Sequence, residues 1–174
     1  HRAVLPDGRS VAVKVQYPDI RKAMKADLSN LGAMVQVVSR GAGLSEGRAY
    51  FAELRDELMK ELDYRDEAAR GGTYAVAARK TTDLFVPAAV ASHTAEKVLT
   101  LELVEGETLK EVLARGLSVP NAERMRIARL LIRAIWVPFL TDGVIHADPH
   151  PGNFILMPDG RMAVLDFGSV KQLS

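Results

Sequence analysis

The chain begins with two short apolar runs separated by a turn sequence, a pattern typical of antiparallel strands. Val4-Leu5 precedes Pro6-Asp7-Gly8, and a β-branched run from Val11 to Val15 follows it. Side chains alternate between the faces of a strand, so the three valines of this run share one face and Lys14 lies on the other. The pattern therefore predicts a β-hairpin that presents one lysine opposite an apolar face.

Two long segments with apolar residues at helical spacing come next. The first is predicted to run from Pro18-Asp19 to about Arg40, where a glycine-containing turn ends it. The second is predicted to begin near Ser45 and to continue to about Arg70.

The remaining predicted elements are shorter and alternate in type. They are strands at 84–90 and 97–103, helices at 108–115 and 121–140, and a hairpin formed by 153–157 and 161–165. The order of strands, helices, strands, helices and a polar end predicts an α+β fold with two lobes that join near Leu103 to Gly106.

Charge and composition exclude several classes of protein. The 174 residues include 23 Lys+Arg and 22 Asp+Glu, a net charge of +1, which lacks the basic excess of nucleic-acid-binding proteins. We therefore expect no nucleic-acid partner. The absence of cysteine excludes disulfides, thiolate zinc sites and a catalytic thiol. The longest apolar stretch, Leu130 to Leu140, is about half of the ~20 residues that cross a bilayer, so no transmembrane segment is predicted in this chain.

The densest cluster of chemically capable residues extends from His146 to Asn153, and Asp166-Phe167-Gly168 follows. Two prolines and a glycine favour a loop, with Asp148 and Asn153 at its two ends. The predicted hairpin returns Asp166 to the neighbourhood of Asn153. Two carboxylates and one amide oxygen suit Mg²⁺, which indicates phosphoryl transfer. The alternative is a set of tight turns in which Asp and Asn cap backbone groups.

The two histidines of this loop allow a different metal site. His146, Asp148 and His150 follow a His-x-Asp-x-His pattern, and imidazole with carboxylate suits zinc or manganese. We favour magnesium because a hard cation takes oxygen ligands.

Four motifs in register resemble the UbiB-type atypical kinases, a ubiquinone-biosynthesis family with the protein-kinase-like fold. They are Val13-Lys14-Val15-Gln16-Tyr17-Pro18, Glu61-Leu62-Asp63-Tyr64-Arg65-Asp66-Glu67-Ala68, His146-Ala147-Asp148-Pro149-His150-Pro151-Gly152-Asn153 and Asp166-Phe167-Gly168. The resemblance extends over essentially the whole chain. It implies a bilobal α+β fold with an extra helix between the lysine strand and the helix that kinases call αC.

The resemblance also implies a role for each motif residue. Lys14 would hold the α and β phosphates of ATP, and Glu67 would pair with Lys14 and orient it. Asp148 would occupy the position of the catalytic base, and Asn153 and Asp166 would bind Mg²⁺. His146 would fall where kinases keep a structural histidine that bonds the backbone near Asp-Phe-Gly.

Other residues carry family-specific or adenine-binding expectations. Glu61 and Asp63 match a Glu-x-Asp pattern that engages a Lys-x-Gly-Gln segment, which is absent from these residues. Asp63 and Glu67 are four apart on the predicted helix, and two like charges on one face favour a cation nearby. The backbone near Glu102 and Val104 would bond the adenine edge, as a kinase hinge does.

The implied function is that of an Mg-ATP-binding atypical kinase or ATPase that supports quinone lipid biosynthesis. Expected partners are ATP, a quinone precursor or lipid, and proteins of the same biosynthesis. The alternatives are a small-molecule phosphotransferase resembling aminoglycoside or choline kinases, and a catalytically silent nucleotide-binding scaffold.

A kinase-like fold usually needs ~250 residues, so the resemblance implies a partial domain. Residues 1–103 would form an N-lobe whose nucleotide loop lies upstream, and residues 104–174 would begin a truncated C-lobe. The parent protein would be cytoplasmic, or associated with a membrane through parts that these residues do not contain.

Overall fold

A computed structural model describes residues 1–42, 46–60 and 62–173, which form a mixed α+β fold. The helices are α1 (Ile20–Ala42), α2 (Glu46–Lys60), α3 (Tyr64–Ala78), α4 (Leu109–Ala114) and α5 (Asn121–Asp142). The strands are β1 (Arg2–Val4), β2 (Ser10–Val15), β3 (Leu84–Phe85), β4 (Val98–Glu102), β5 (Glu107–Thr108), β6 (Val144–His146), β7 (Phe154–Leu156), β8 (Met162–Val164) and β9 (Val170–Gln172).

The first sheet has the order β1-β2-β4 and carries Lys14. The predicted hairpin is confirmed: Leu5 accepts a hydrogen bond from the Gly8 N–H at 2.9 Å, which closes the turn between β1 and β2. β2 then pairs antiparallel with β4, with Lys14 opposite Leu99. Because that register is set by five residue pairs, the position of Lys14 along the sheet is well defined.

The predicted hairpin near the end of the chain is confirmed as β7 and β8, which lie in a second sheet of order β3-β8-β7-β5. A third pairing, between β6 and β9, was not predicted. It places His146 opposite Val170, so the loop after β6 and the loop before β9 lie at the same end of this two-stranded sheet. This pairing brings the loop of Asp148 and the loop of Asp166 together.

The prediction of one helix from Ser45 to Arg70 is wrong. Helix α2 ends at Lys60, and α3 begins at Tyr64 and continues to Ala78. Asp63 has an extended backbone (φ −112°, ψ 105°), and its side chain accepts the N–H of Arg65 as an N-cap. Asp63 therefore precedes the helix that carries Glu67, and the two carboxylates do not share a helical face. Ser45 and Glu61 lie outside the described residues.

The main core lies between α3, α5 and the β7–β8 hairpin, directly below the predicted site. Tyr74, Phe154 and Phe167 are almost completely buried there. The Tyr74 hydroxyl donates a hydrogen bond to the Ala134 carbonyl on α5 at 2.6 Å, which satisfies its polar end and joins the two helices. Such a core gives the loops above it a rigid base.

The connection between β4 and β5 requires glycine at Gly106. Its φ of 154° is rare for other residues, and a Cβ there would lie 2.3 Å from the Leu156 carbonyl oxygen. In the three described ranges, no helix has the length and hydropathy needed to cross a membrane.

Candidate functional site

Lys14 is the centre of the site. Its Nζ lies 3.1 and 3.0 Å from the two carboxylate oxygens of Glu67 and 3.3 Å from Asp166 Oδ2. These partners are 53 and 152 positions away in the chain, on α3 and on the loop after β8. The structure therefore brings together three of the residues singled out in the sequence.

Glu67 is the most deeply buried charge of this cluster. Its side chain is 5% exposed, against 45% for Lys14. Burial raises the pKa of Glu67, and the charge of Lys14 opposes that shift only in part. For Lys14, burial alone would lower the pKa, but the charges of Glu67 and Asp166 outweigh it and hold the pKa of Lys14 above its ordinary value. Lys14 is therefore a permanent cation at neutral pH.

Asp166 is held in an unusual backbone conformation. Its φ of 57° lies in the left-handed region, which costs a residue other than glycine roughly 1–2 kcal/mol. Its Oδ1 accepts the Gly168 N–H at 3.3 Å, and the next residue, Phe167, is buried in the core. The buried ring and this local hydrogen bond together hold the Asp166 carboxylate towards Lys14.

Gly71 makes the position of Phe167 possible. A Cβ at Gly71 would lie 2.8 Å from Cδ2 of Phe167, closer than real Cβ atoms approach other atoms. The ring therefore packs directly on the backbone of α3. Since Gly71 lies one helical turn after Glu67, the same stretch of helix positions both Lys14 and Asp166.

Two further residues of α3 contact the site, and sequence reasoning missed them. The Tyr64 ring centre lies 5.1 Å from Lys14 Nζ, and Arg70 donates a hydrogen bond to the Gly168 carbonyl. Tyr64, Glu67 and Arg70 are spaced by three residues, so they lie on neighbouring positions of one helical surface. That spacing is the signal that points to them.

The loop from His146 to Asn153 is tied together by local hydrogen bonds. Asn153 Nδ2 donates to the Asp148 carbonyl at 3.2 Å and to Asp148 Oδ2 at 3.4 Å, and the Gly152 N–H donates to His150 at 3.1 Å. The Leu165 N–H donates to the Asn153 carbonyl at 2.7 Å, which links this loop to the strand that leads to Asp166. Turn capping thus explains the amide nitrogen of Asn153, while its amide oxygen accepts no hydrogen bond from a described residue.

His146 is buried in the core beside the loop that leads to Asp166. Its ring is buried among Tyr74, Phe154 and Phe167, and its Nε2 lies 3.2 Å from the Leu165 carbonyl. This contact is the one that the resemblance implied. In the part of the chain that the structure describes, no three His, Cys, Asp or Glu side chains converge as a metal cage. The zinc or manganese alternative is therefore unsupported.

Two cavities meet at the Lys14 cluster. The first, which we call the inner cleft, has a volume of about 280 Å³ and is lined by Lys14, Glu67, Asn153 and Asp166 together with apolar residues of β4 and β7. The second, the outer cavity, has a volume of about 480 Å³ and contains Asp148. Lys14, Glu67 and Asp166 line both, so the charged cluster separates a cleft with apolar walls from the cavity that holds Asp148.

The segment that follows β4 borders the inner cleft. From the sequence, we expect its backbone near Glu102 and Val104 to bond the adenine edge. Glu102 is hydrogen-bonded to Ala88 at two points. The Glu102 N–H donates to the Ala88 carbonyl at 3.0 Å, and the Glu102 carboxylate accepts the Ala88 N–H at 2.9 Å. The N–H and carbonyl of Val104 have no hydrogen-bond partner among the described residues. Val104 is thus the better placed of the two to bond a ligand with its N–H.

The Asp63 carboxylate is bonded to Arg65, two residues away, and not to the Lys14 cluster. Its carboxylate accepts hydrogen bonds from Arg65 at 2.7 to 3.0 Å, and these lower the pKa of Asp63. Next to it, the Leu62 carbonyl accepts a hydrogen bond from Gln16 at 2.7 Å. This bond joins two of the sequence motifs, one following β2 and one preceding α3.

The charges and donor atoms of the site suit a magnesium ion. Lys14 contacts the carboxylates of Glu67 and Asp166, and Asp148 lines the same outer cavity, so three carboxylates and one charged lysine border this cavity and a divalent cation would offset the excess negative charge. Asp166 and Asn153 offer hard oxygen donors. Magnesium commonly takes only one or two protein ligands and completes its shell with water and phosphate oxygens, so this small set of donors fits it.

Known proteins from plants and bacteria are similar to this chain over nearly its whole length. It is 35% identical to Protein ACTIVITY OF BC1 COMPLEX KINASE 7, chloroplastic, of Arabidopsis thaliana, over 99% of this chain and 25% of that protein. It is 33% identical to Probable protein kinase UbiB of Xylella fastidiosa, over 100% of this chain and 33% of that protein.

A solved structure has the same fold. Rv3197 of Mycobacterium tuberculosis, determined as a complex with erythromycin, is 37% identical with a TM-score of 0.82, over 99% of this chain and 43% of that one. The chain spans between a quarter and less than half of the length of these relatives. The model of the ABC1 atypical kinase-like domain matches residues 1–174. This chain therefore belongs to the ABC1/UbiB family of atypical kinase-like proteins.

Proposed function

We propose that this chain binds Mg-ATP in the inner cleft and either transfers its γ-phosphoryl group or hydrolyses it. The observation that carries the proposal is the position of Lys14, held by Glu67 and Asp166 at the wall between the two cavities. A lysine with a raised pKa is a fixed positive charge, and the adjoining apolar cleft suits a nucleoside base.

In this proposal the chain has the protein-kinase-like bilobal arrangement. Residues 1–103 form an N-lobe, and residues 104–174 form the start of a truncated C-lobe. Helices α1 and α2 are then the insertion between the lysine strand and α3, which corresponds to αC. The nucleotide lies between the lobes, with its adenine edge at Val104.

Each charged residue then has a role in phosphoryl transfer. Lys14 binds the α and β phosphates, and Glu67 keeps it in place. Asn153 and Asp166 would hold Mg²⁺. When bound, this ion would offset the negative charge of the phosphate oxygens, which otherwise repels the attacking oxygen. Asp148 accepts a hydrogen bond from the attacking hydroxyl or water and aligns it.

The position of Asp148 supports an acceptor site in the outer cavity. That cavity lies next to the proposed phosphate position, and its walls include Tyr17, Ile20 and Tyr64. Apolar and aromatic walls suit a small organic hydroxyl, or they exclude bulk water from a hydrolytic reaction. The likeness to Probable protein kinase UbiB agrees with a kinase-like activity. The resemblance to the UbiB-type atypical kinases implies that this activity supports quinone lipid biosynthesis, in the cytoplasm or at a membrane. A quinone precursor or lipid is then the acceptor, and other proteins of that biosynthesis are partners.

The test compares binding with turnover. We expect ATP to raise the melting temperature only when Mg²⁺ is present, and we expect the wild type to release phosphate. Asp166→Asn should abolish phosphate release because it removes a magnesium ligand. Lys14→Ala should weaken Mg-ATP binding about tenfold or more, which corresponds to ~1.4 kcal/mol or more. Lys110→Ala, an exposed lysine on α4, is the matched control and should change neither quantity.

The outcomes separate the alternatives. A magnesium-dependent shift without phosphate release indicates the silent scaffold. Transfer to choline or an aminoglycoside indicates the small-molecule phosphotransferase. The absence of any magnesium-dependent shift contradicts the nucleotide proposal itself.

A further inference from the structure

A third cavity, which we call the back cavity, extends along α3 from Glu67 to Arg79. Its volume is about 470 Å³, within the ~300–1,000 Å³ range of small-molecule sites. One wall is the surface of α3 around Gly71, Gly72 and Ala75, and the opposite wall is formed by residues 84–89 and by Leu99 and Leu101 of β4.

The back cavity exists because the helix wall has almost no side chains. A Cβ placed on Gly72 would meet no atom within 4 Å, in contrast to Gly71, where Phe167 already fills the space. The side chains that face α3 from the other wall are apolar. An occupant therefore meets apolar side chains and bare helix backbone.

The only charged side chains among the residues that line the cavity are Glu67 and Arg79. They are twelve positions apart along the helix, about 18 Å at a rise of ~1.5 Å per residue. Glu67 is already paired with Lys14. The Arg79 side chain is exposed and has no hydrogen bond or ion pair with a described residue. The cavity is thus bounded by a cation at one end and a carboxylate at the other.

We propose that the back cavity binds a single-chain amphiphile with an anionic head group. The apolar chain lies along Gly72 and Ala75, and the head pairs with Arg79. The carboxylate of Glu67 repels an anion at the opposite end, so the charges orient the ligand. The carbonyls at the end of α3 carry only about half a negative charge, which the full charge of the guanidinium exceeds.

The far end of such a ligand would touch Phe167 and Glu67, the two residues through which α3 positions Asp166 and Lys14. The back cavity is therefore adjacent to the charged cluster and shares Glu67 with it. The proposed binding does not depend on phosphoryl transfer.

The test is calorimetric titration of the chain with dodecanoate below its critical micelle concentration. Ala75→Leu fills the cavity and should weaken dodecanoate binding about tenfold or more. Val76→Leu is the control, because it introduces leucine at the next position, which is exposed and does not line the cavity. It should leave the affinity unchanged.

The head group is tested separately. Arg79→Gln should weaken dodecanoate binding by up to about fivefold, the range of an exposed ion pair, and should not affect dodecanol. If Ala75→Leu does not fold, Gly72→Leu replaces it, since the position is open and a leucine is a better helix former than glycine. The proposal is overturned if dodecanoate shows no saturable binding, if a folded cavity-filling variant binds it as well as the wild type does, or if dodecyltrimethylammonium binds more tightly than dodecanoate.

Discussion

Glu67 and Gly71, one turn apart on the same side of α3, contribute to the site in opposite ways. Glu67 contributes a long charged side chain, which burial and an ion pair hold against Lys14. Gly71 and the next residue, Gly72, contribute no side chain, which lets the Phe167 ring approach at Gly71 and leaves a cavity at Gly72. One helix thus sets both the charge geometry at Lys14 and the free volume beside it.

The comparison shows that residue size at α3 matters as much as residue charge. Lys14 can be held only if α3 lies close to β2, and Asp166 can face Lys14 only if Phe167 packs close to α3. The second condition is met by the missing side chain of Gly71. Neighbouring glycines in this helix are therefore expected to respond differently to the same substitution.

The largest effect is expected from Gly71→Leu. The new side chain must displace Phe167 from the core, and overpacking of this kind typically costs about 1–3 kcal/mol of the free energy of unfolding. Gly72→Leu is the matched control and should be neutral, or stabilising by up to ~1 kcal/mol through helix propensity. Urea denaturation measures both. Equal destabilisation by the two substitutions would contradict the distinction between the two positions.

An intermediate effect is expected from pH at Glu67. Because burial raises the pKa of Glu67 above its ordinary value of ~4.3, the native state holds this proton more tightly than the unfolded chain does. The associated stability is complete below the ordinary pKa and is lost as pH rises through the raised pKa of the folded state.

Glu67→Gln lacks this ionisation and is nearly the same size. The free energy of unfolding of the wild type, measured relative to this variant, should therefore fall as pH rises above the ordinary glutamate pKa of ~4.3. Urea unfolding at several pH values gives the difference. A difference that stays constant, or that grows with pH, would show that the ion pair and not burial controls the pKa of Glu67.

The smallest effect is expected at the start of α3, before Glu67 and the two glycines. Asp63→Ala removes the N-cap and should cost about 1 kcal/mol, whereas Asp63→Asn keeps an acceptor for the Arg65 N–H and should cost only a few tenths. Thermal unfolding distinguishes them. If both variants lose the same stability, the contribution of Asp63 comes from its charge beside Arg65 and not from capping.

Several parts of the fold could be predicted because their signals are local. Pro6-Asp7-Gly8 between apolar runs identified the hairpin that carries Lys14, and the turn before Arg161 identified β7 and β8. The break between α2 and α3 escaped prediction. Apolar spacing continues through Leu62, and the extended conformation of Asp63 becomes visible only when its side chain is seen to cap α3.

The assignment of roles to Lys14, Glu67 and Asp166 remains a prediction, but their convergence is now a structural finding. The motifs nominated these residues, and no local rule could place α3 against β2. Their meeting depends on the pairing of β6 with β9 and on the packing of Phe167 on Gly71, which are contacts between segments far apart in the chain.

The amino-acid sequence by itself determined the family, the residue types of the site and most short elements, because turn residues, helical spacing and ordered motifs are properties of neighbouring residues. Tertiary structure alone decided the burial of Glu67, the distances around Lys14 and the existence of the back cavity. Those quantities depend on how closely separate elements approach one another, and that approach is set by side-chain volumes on both partners at once.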